Sequence, residues 1–208
     1  MGNAVPVMTR TLVHAWHYAR RRGVRHSAAK AFRTYVLGRE RWYVTSGDLT
    51  GWNGVTPRDP ETLIRFATDA DLPALERMER QSPETLRAWL RPGHFFFVAV
   101  RAGVPIAYRC LSTKPHRWVR DYFTMRPDQV YSLDLFTHAA WRSRGVSHDL
   151  MAGSNPILVA QGFREVLSIQ RLDNAESIAM TRARGITQLG TLTRTCVLGR
   201  VSLRLDPV

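Results

Sequence analysis

The chain has 208 residues, a hydrophobic fraction of 44% and a formal net charge of +13 at pH 7. That length suits one ordinary domain plus an appendage, with enough apolar residues for a packed core. No apolar run approaches the ~18 residues that cross a bilayer and the N-terminus lacks a signal-peptide core, so a cytoplasmic protein is expected.

The positive charge calls for an anionic partner: nucleic acid, a membrane surface or a polyphosphate cofactor. Only Lys30 and Lys114 are lysines among the 30 basic residues. Such an arginine skew also follows from coding bias, so the charge identifies no ligand by itself. Cys110 and Cys196 sit in apolar, strand-like segments and read as small buried hydrophobes in a reducing compartment.

In chain order, residues 1 to about 40 read as a basic helical extension. Leu12, Val13, Trp16 and Ala19 follow helical spacing, and Ala28, Ala31, Phe32, Tyr35 and Val36 form a second stripe that Gly38 should stop. The pair packs on the core or lies peripherally on an anionic membrane. His14, His17 and His26 invite a metal reading, but no carboxylate or cysteine completes the set, and no metal is expected. Arg41 to Thr45 reads as a short strand, and Ser46 to Asp59, rich in Gly, Asn, Asp and Pro, as a linker. The expected division is therefore 1–60 for extension and linker and 61–208 for the main domain.

Thr62 to Ala67 alternates as a strand, and Thr68-Asp-Ala-Asp71 has the form of a helix start. Ser82-Pro83-Glu84 opens a second helix with serine as N-cap. Phe95–Arg101 and Val104–Ser112 form a hairpin around Ala102-Gly103. Thr113 to Gln129, with Trp118, Tyr122 and Phe123, reads as a long connection that could serve as a lid. Residues 131–137 form a buried strand. A basic turn follows, then a helix from Gly145 that Gly153 and Pro156 should kink or interrupt. A strand over 163–170, a helix over 174–184 and two strands within 186–205 complete the order.

The segment Arg142-Ser143-Arg144-Gly145-Val146-Ser147 carries chemistry. A strand that feeds a helix through Arg-x-x-Gly-x-Ser presents unpaired backbone N–H groups and a helix dipole to an anion, and arginine forks suit phosphate oxygens. With the element order around it, this segment resembles the GNAT superfamily of acyl-CoA-dependent N-acyltransferases. Ile64 to Leu72 resembles the family's first strand and helix opening, and Val98 to Tyr108 its central hairpin. Asn174-x-x-Ser177, with Gly185 eleven residues after Asn174, is similar to its late helix. The resemblance covers about 61–205. It implies an α/β (α+β) fold with a mixed, mostly antiparallel central sheet flanked by helices, here with an N-terminal helical extension.

It also implies an enzyme that moves an acetyl or other acyl group from acyl-CoA to an amine by direct attack. Residues 142–147 would cradle the CoA pyrophosphate, a backbone N–H near Phe136 and Thr137 would polarise the thioester, and Asn174 and Ser177 would line the cofactor. Asp134 is the first candidate base, at a position where polyamine-acetylating members carry an acid, and His138 the second. An ion pair with an arginine is the competing reading of Asp134. Thr181 stands where the family often has a tyrosine that protonates the leaving thiolate, and Tyr131 where the histone-acetylating branch has its base glutamate. These departures keep a second reading open, a GNAT-fold module that binds CoA or another anion without turnover. A nucleic-acid substrate has no aromatic-basic motif to support it, and a homodimer is implied by resemblance only.

Overall fold

A computed structural model describes residues 37–116, 119, 124–198 and 200–208. The expected helices before residue 37, with their histidines and membrane-facing stripe, and Trp118, Tyr122 and Phe123 of the long connection lie outside the described residues.

Eight strands form one sheet: β1 (Leu37–Asp48), β2 (Leu63–Phe66), β3 (His94–Arg101), β4 (Val104–Ser112), β5 (Gln129–Thr137), β6 (Glu165–Arg171), β7 (Thr187–Val197) and β8 (Arg200–Pro207). Their order is β2-β3-β4-β5-β6-β1-β7-β8. The β2/β3, β3/β4, β4/β5 and β7/β8 pairs are antiparallel and β5/β6 is parallel. Among the described residues the helices are α1 (Leu72–Arg77), α2 (Pro83–Trp89), α3 (Val146–Ala160) and α4 (Ala175–Ala183). The sheet is thus mixed and mostly antiparallel with flanking helices, as the resemblance implied. None of the described helices is long and apolar enough to cross a membrane.

The chain divides into two compact units. One holds Val44–Gln170 and Asn174–Leu189; the described part of the other holds 37–43, Arg171–Asp173 and Gly190–Val208. In the second unit, β7 and β8 pair from Gly190↔Pro207 to Val197↔Arg200. A Cβ at Gly190 would lie 2.6 Å from the Asp206 carbonyl oxygen, so only glycine fits that close backbone approach.

In the larger unit, the alternation of the strands sorts two cores onto the two sheet faces. Phe96, Val98, Val100, Tyr108 and Cys110 pack against Leu72, Leu75, Leu86 and Trp89 of α1 and α2. Phe97, Ala99, Ala107, Leu111 and Val130 pack against Val146, Leu150 and Leu158 of α3. The β3–β4 turn holds Ala102 at φ 47° and Gly103 at φ 77°, the pair of left-handed residues that a tight hairpin requires.

The expected helix starts are present. Asp71 accepts the Thr68 N–H at 2.8 Å and hydroxyl at 3.0 Å, together with both forks of Arg65 at 2.7 and 2.8 Å. Ser82 accepts the Thr85 N–H at 3.2 Å and Asn174 the Ser177 N–H at 3.1 Å.

Three expectations need correction. Gly38 lies inside β1 rather than at a helix end, and β1 is 12 residues long. It continues through Ser46 to Asp48 because its far half is a strand of the larger unit: Thr45 Oγ1 meets Ser168 Oγ at 2.7 Å, and the Leu49 N–H donates to the Arg164 carbonyl at 2.9 Å. The helix after Gly145 neither breaks nor restarts; α3 runs unbroken over 15 residues with Pro156 inside it. Gly153 is there for packing, since a Cβ would meet three atoms of Ile64 on β2 at 2.6 to 2.8 Å. One of these is the Ile64 Cβ, which cannot rotate away. We therefore expect Gly153→Ala to destabilise the protein by about 1–3 kcal/mol, because the overlap outweighs the ~1 kcal/mol of helix propensity gained. Chemical denaturation of both forms measures the difference, and an unchanged midpoint would contradict the close contact.

Candidate functional site

β5 parts from its neighbour β6 partway along its length. β5 and β6 pair only at Gln129↔Glu165, Val130↔Val166 and Tyr131↔Leu167, after which β5 runs on to Thr137 with that edge unpaired. On its other edge β5 stays paired with β4 up to Ala107↔Thr137, with a bulge that leaves Leu133 without a partner. The His138 N–H donates to the Ile106 carbonyl at 2.9 Å. By the alternation of an antiparallel ladder, the Phe136 N–H also faces β4 while the Leu135 and Thr137 groups face the open edge. Consistent with this, the Thr137 carbonyl accepts Arg142 Nε at 3.3 Å, and the Leu135 N–H is taken by its neighbour Asp134 Oδ1 at 3.1 Å. The Thr137 N–H remains as the donor directed into the splay.

At the head of the splay, a short 3-10 turn, Ala139–Trp141, leads into residues 142–145. Ser143 at φ 59° and Gly145 at φ 80° are both left-handed. Left-handed residues in a turn are one half of the alternating conformation that lets successive N–H groups converge on an anion. Gly145 caps α3, and its carbonyl accepts the N–H of His148 at 2.8 Å and of Asp149 at 3.1 Å. Its own N–H, with those of Val146 and Ser147, opens the helix.

Arginines surround this turn. The Arg142 guanidinium lies 5.7 Å from the Phe136 ring centre and that of Arg144 5.3 Å from the Trp141 ring. Arg58 packs where a Gly145 side chain would be, its Cδ 3.5 Å from that position, and Arg184 donates to Ser147 Oγ at 3.2 Å. The sequence offered no sign of Arg58 or Arg184, because in an arginine-rich chain neither stands out and both reach the turn through tertiary packing.

Asp134 faces the α1–α2 side. Its Oδ2 accepts the Tyr108 hydroxyl at 2.9 Å and Gln81 Nε2 at 2.7 Å, and its Oδ1 lies 3.4 Å from Arg80 Nη2. Burial first, and then the Asp134 charge, raise the Tyr108 hydroxyl above its usual range, so it stays protonated and donates. Burial likewise raises Cys110, leaving it a thiol beside the carboxylate. The Phe136 ring sits between this cluster and the basic turn, 5.7 Å from Tyr108 and 5.9 Å from the Arg80 guanidinium.

The other candidates are spread out. His138 is exposed at the strand end. Thr181 is buried, and its hydroxyl accepts Gln170 Nε2 at 2.5 Å; Ser177 Oγ donates to Gln170 Oε1 at 3.0 Å. Thr181 and Ser177 thus hold α4 against β6 through Gln170, and Asn174 is occupied as the helix cap. Tyr131 is buried at the closed end of the splay. No group of three or more potential metal ligands exists among the described residues.

The parallel pair β5/β6 thus opens beside a left-handed basic turn. The acetyltransferase (GNAT) family model matches residues 61–186, and the chain belongs to that family. GNAT proteins bind acetyl-CoA or CoA. No curated protein matches the sequence. Among solved structures, a tandem GNAT protein from the clavulanic acid biosynthesis pathway is similar at 16% identity and TM-score 0.56, over 81% of this chain and 57% of that one. A protein assigned to the GNAT family from Novosphingobium aromaticivorans shares 15% identity with TM-score 0.55, over 82% of this chain and 66% of that one. An aminoglycoside N-acetyltransferase in complex with CoA shares 22% identity with TM-score 0.50, over 61% of this chain and 92% of that one. At these identities the likeness is one of fold.

Proposed function

We propose that the protein is an acyl-CoA-dependent N-acyltransferase that moves an acyl group from the CoA thioester to an amine. The observation that carries this reading is the unpaired edge of β5 leading to the left-handed turn at Ser143–Gly145. The N–H groups at the start of α3, with Arg142 and Arg144, would hold the CoA pyrophosphate. The pantetheine arm would complete the unpaired edge of β5, and the Thr137 N–H would bind the thioester oxygen, where a fixed donor stabilises developing negative charge. Bound acyl-CoA supplies an activated carbonyl and a thiolate leaving group.

Asp134 is the proposed base. A lysine-like amine of pKa ~10.4 costs about 4–5 kcal/mol to deprotonate at pH 7, and a carboxylate beside the carbonyl can take that proton. Arg80, in the α1–α2 connection, lies beside Asp134 with Nη2 3.4 Å from Oδ1. Thr181 is not required as an acid, because a thiol of pKa ~8.5 leaves readily as the thiolate.

One observation favours the second reading, a CoA-binding module without turnover. Asp134 already accepts from Tyr108 and Gln81 and neighbours Arg80, so an amine must displace one of them to reach it. Release of CoA from acetyl-CoA over a panel of primary amines, followed by thiol detection, distinguishes the two. We expect release with at least one amine class. Acetyl-CoA binding without release across the panel would establish the module instead.

A further inference from the structure

On the α3 side of the sheet, a cavity of about 250 Å3 is lined by Trp52, Met151, Asn155 and Val166 and by two guanidinium groups, those of Arg109 and Arg184. Arg109 lies in the middle of β4, 3% exposed, on the face that carries Ala107 and Leu111. Its Nη1 donates to Ser154 Oγ at 2.9 Å and to Asn155 Oδ1. Arg184 donates to Met151 Sδ at 2.8 Å and to Ser147 Oγ at 3.2 Å. All four acceptors are neutral.

No carboxylate among the described residues pairs with either arginine. Asp48, at the edge of the cavity, spends its oxygens on the Thr50 N–H and hydroxyl, at 2.8 and 2.7 Å, and on the Gly51 N–H at 3.1 Å. Burial and the neighbouring Arg184 charge push the Arg109 guanidinium down to about 9, which still leaves it cationic at neutral pH. Burial and then Arg58 lower Arg184.

Taking a cation out of water is costly unless a counter-charge and hydrogen bonds repay it. Here two cations line one cavity, and among the described residues no carboxylate, that of Asp48 in the lining included, is in ion-pair contact with either. Two positive charges match a dianion, whereas one carboxylate would leave half the charge uncompensated. Guanidinium forks suit tetrahedral phosphate oxygens. The Asn155 side-chain amide, its oxygen already used by Arg109, has N–H groups left to donate.

We propose that this cavity binds a phosphate monoester dianion between Arg109 and Arg184. The group has two possible sources, a free phosphate compound or the terminal phosphate monoester of CoA, and only the second rests on the function proposed above. Arg184 gives that second source a physical route, since it also holds Ser147 of the basic turn.

Thermal unfolding in phosphate-free buffer at constant ionic strength tests the site. Inorganic phosphate at ten times its Kd is expected to raise Tm by about 3–6 °C, and chloride at equal ionic strength to have no effect. Arg109→Met and Arg184→Met should each abolish the rise, while Gly145→Glu should retain it, which separates the cavity from the turn. If the buried Arg109→Met fails to fold, the half-buried Arg184→Met carries the test. The source is read by calorimetry with CoA and 3′-dephospho-CoA. A preference for CoA of tenfold or more that vanishes in Arg184→Met assigns the site to the cofactor. Equal affinities with the phosphate response intact assign it to a free phosphate compound. A protein that ignores phosphate and does not distinguish the two cofactors overturns the proposal. Failure of any CoA to bind would instead overturn the acyltransferase reading and leave the phosphate response to decide the cavity.

Discussion

Gly145→Glu should abolish the rise in Tm that acetyl-CoA produces in the native protein. Two effects combine at this residue. Its φ of 80° is left-handed, which costs an L-residue about 1–2 kcal/mol. The added Cβ itself is tolerated, since it meets the Arg58 side chain at 3.5 Å, an ordinary contact. The larger effect is electrostatic. A carboxylate set among Arg58, Arg142 and Arg144 at the start of α3 would take the place of the diphosphate and repel it. We expect the unliganded variant to melt a few degrees lower and to bind acetyl-CoA at least ~100-fold more weakly, a change of about 2.7 kcal/mol. Gly145→Ala, which carries the backbone strain without the charge, should keep a measurable shift. A full acetyl-CoA shift in Gly145→Glu would remove the turn from the cofactor site.

Asp134→Ala should lower kcat/KM for amine acylation by about 10²–10⁴-fold at neutral pH while acetyl-CoA affinity stays within about twofold. The carboxylate lies on the α1–α2 side of Phe136, away from the basic turn, so donor binding has no reason to change. The pH profile separates a base from a structural carboxylate. Without Asp134 the amine must lose its proton to solvent, so the rate should climb about tenfold per pH unit towards the amine pKa and close the gap on the native enzyme. If Asp134 instead only anchors Arg80, Gln81 and Tyr108, the variant should melt lower and keep the native pH profile. Tyr108→Phe serves as a control, since it removes one donor to Asp134 and leaves the carboxylate in place.

Local chemistry made the basic turn before α3 and most helix starts legible in the sequence. Thr68 with Asp71, Ser82 and Asn174 cap their helices through contacts within three residues, and the Ala102-Gly103 turn fixes its own hairpin. What escaped depends on distant partners. Gly153 reads as a helix breaker, yet it answers to Ile64, 89 positions earlier. Gly38 reads as a stop signal, although β1 is held by a sheet that local propensity does not reveal. Arg109 left one usable trace, a charged residue on the buried face of a strand whose neighbours on that face, Ala107 and Leu111, are apolar. That trace was lost among the many other arginines. Thr181, read as a replacement for an acid, is engaged by Gln170 from β6, a partner that no spacing rule points to.

The pairing of β1 with β6 bears on how the chain is made. Thr45 leaves the ribosome before Ser168, its hydrogen-bonding partner, which is 123 residues behind it. The strand must wait for that partner while the residues between are made, and a contact of such long range forms late. The segment that matches the family, 61–186, contains β6 but not its β1 neighbour. Cut out alone, that segment would expose a row of unmet backbone groups along β6, an invitation to pair with other chains. The boundaries that define kinship in this protein are therefore not those that would make a self-sufficient fragment.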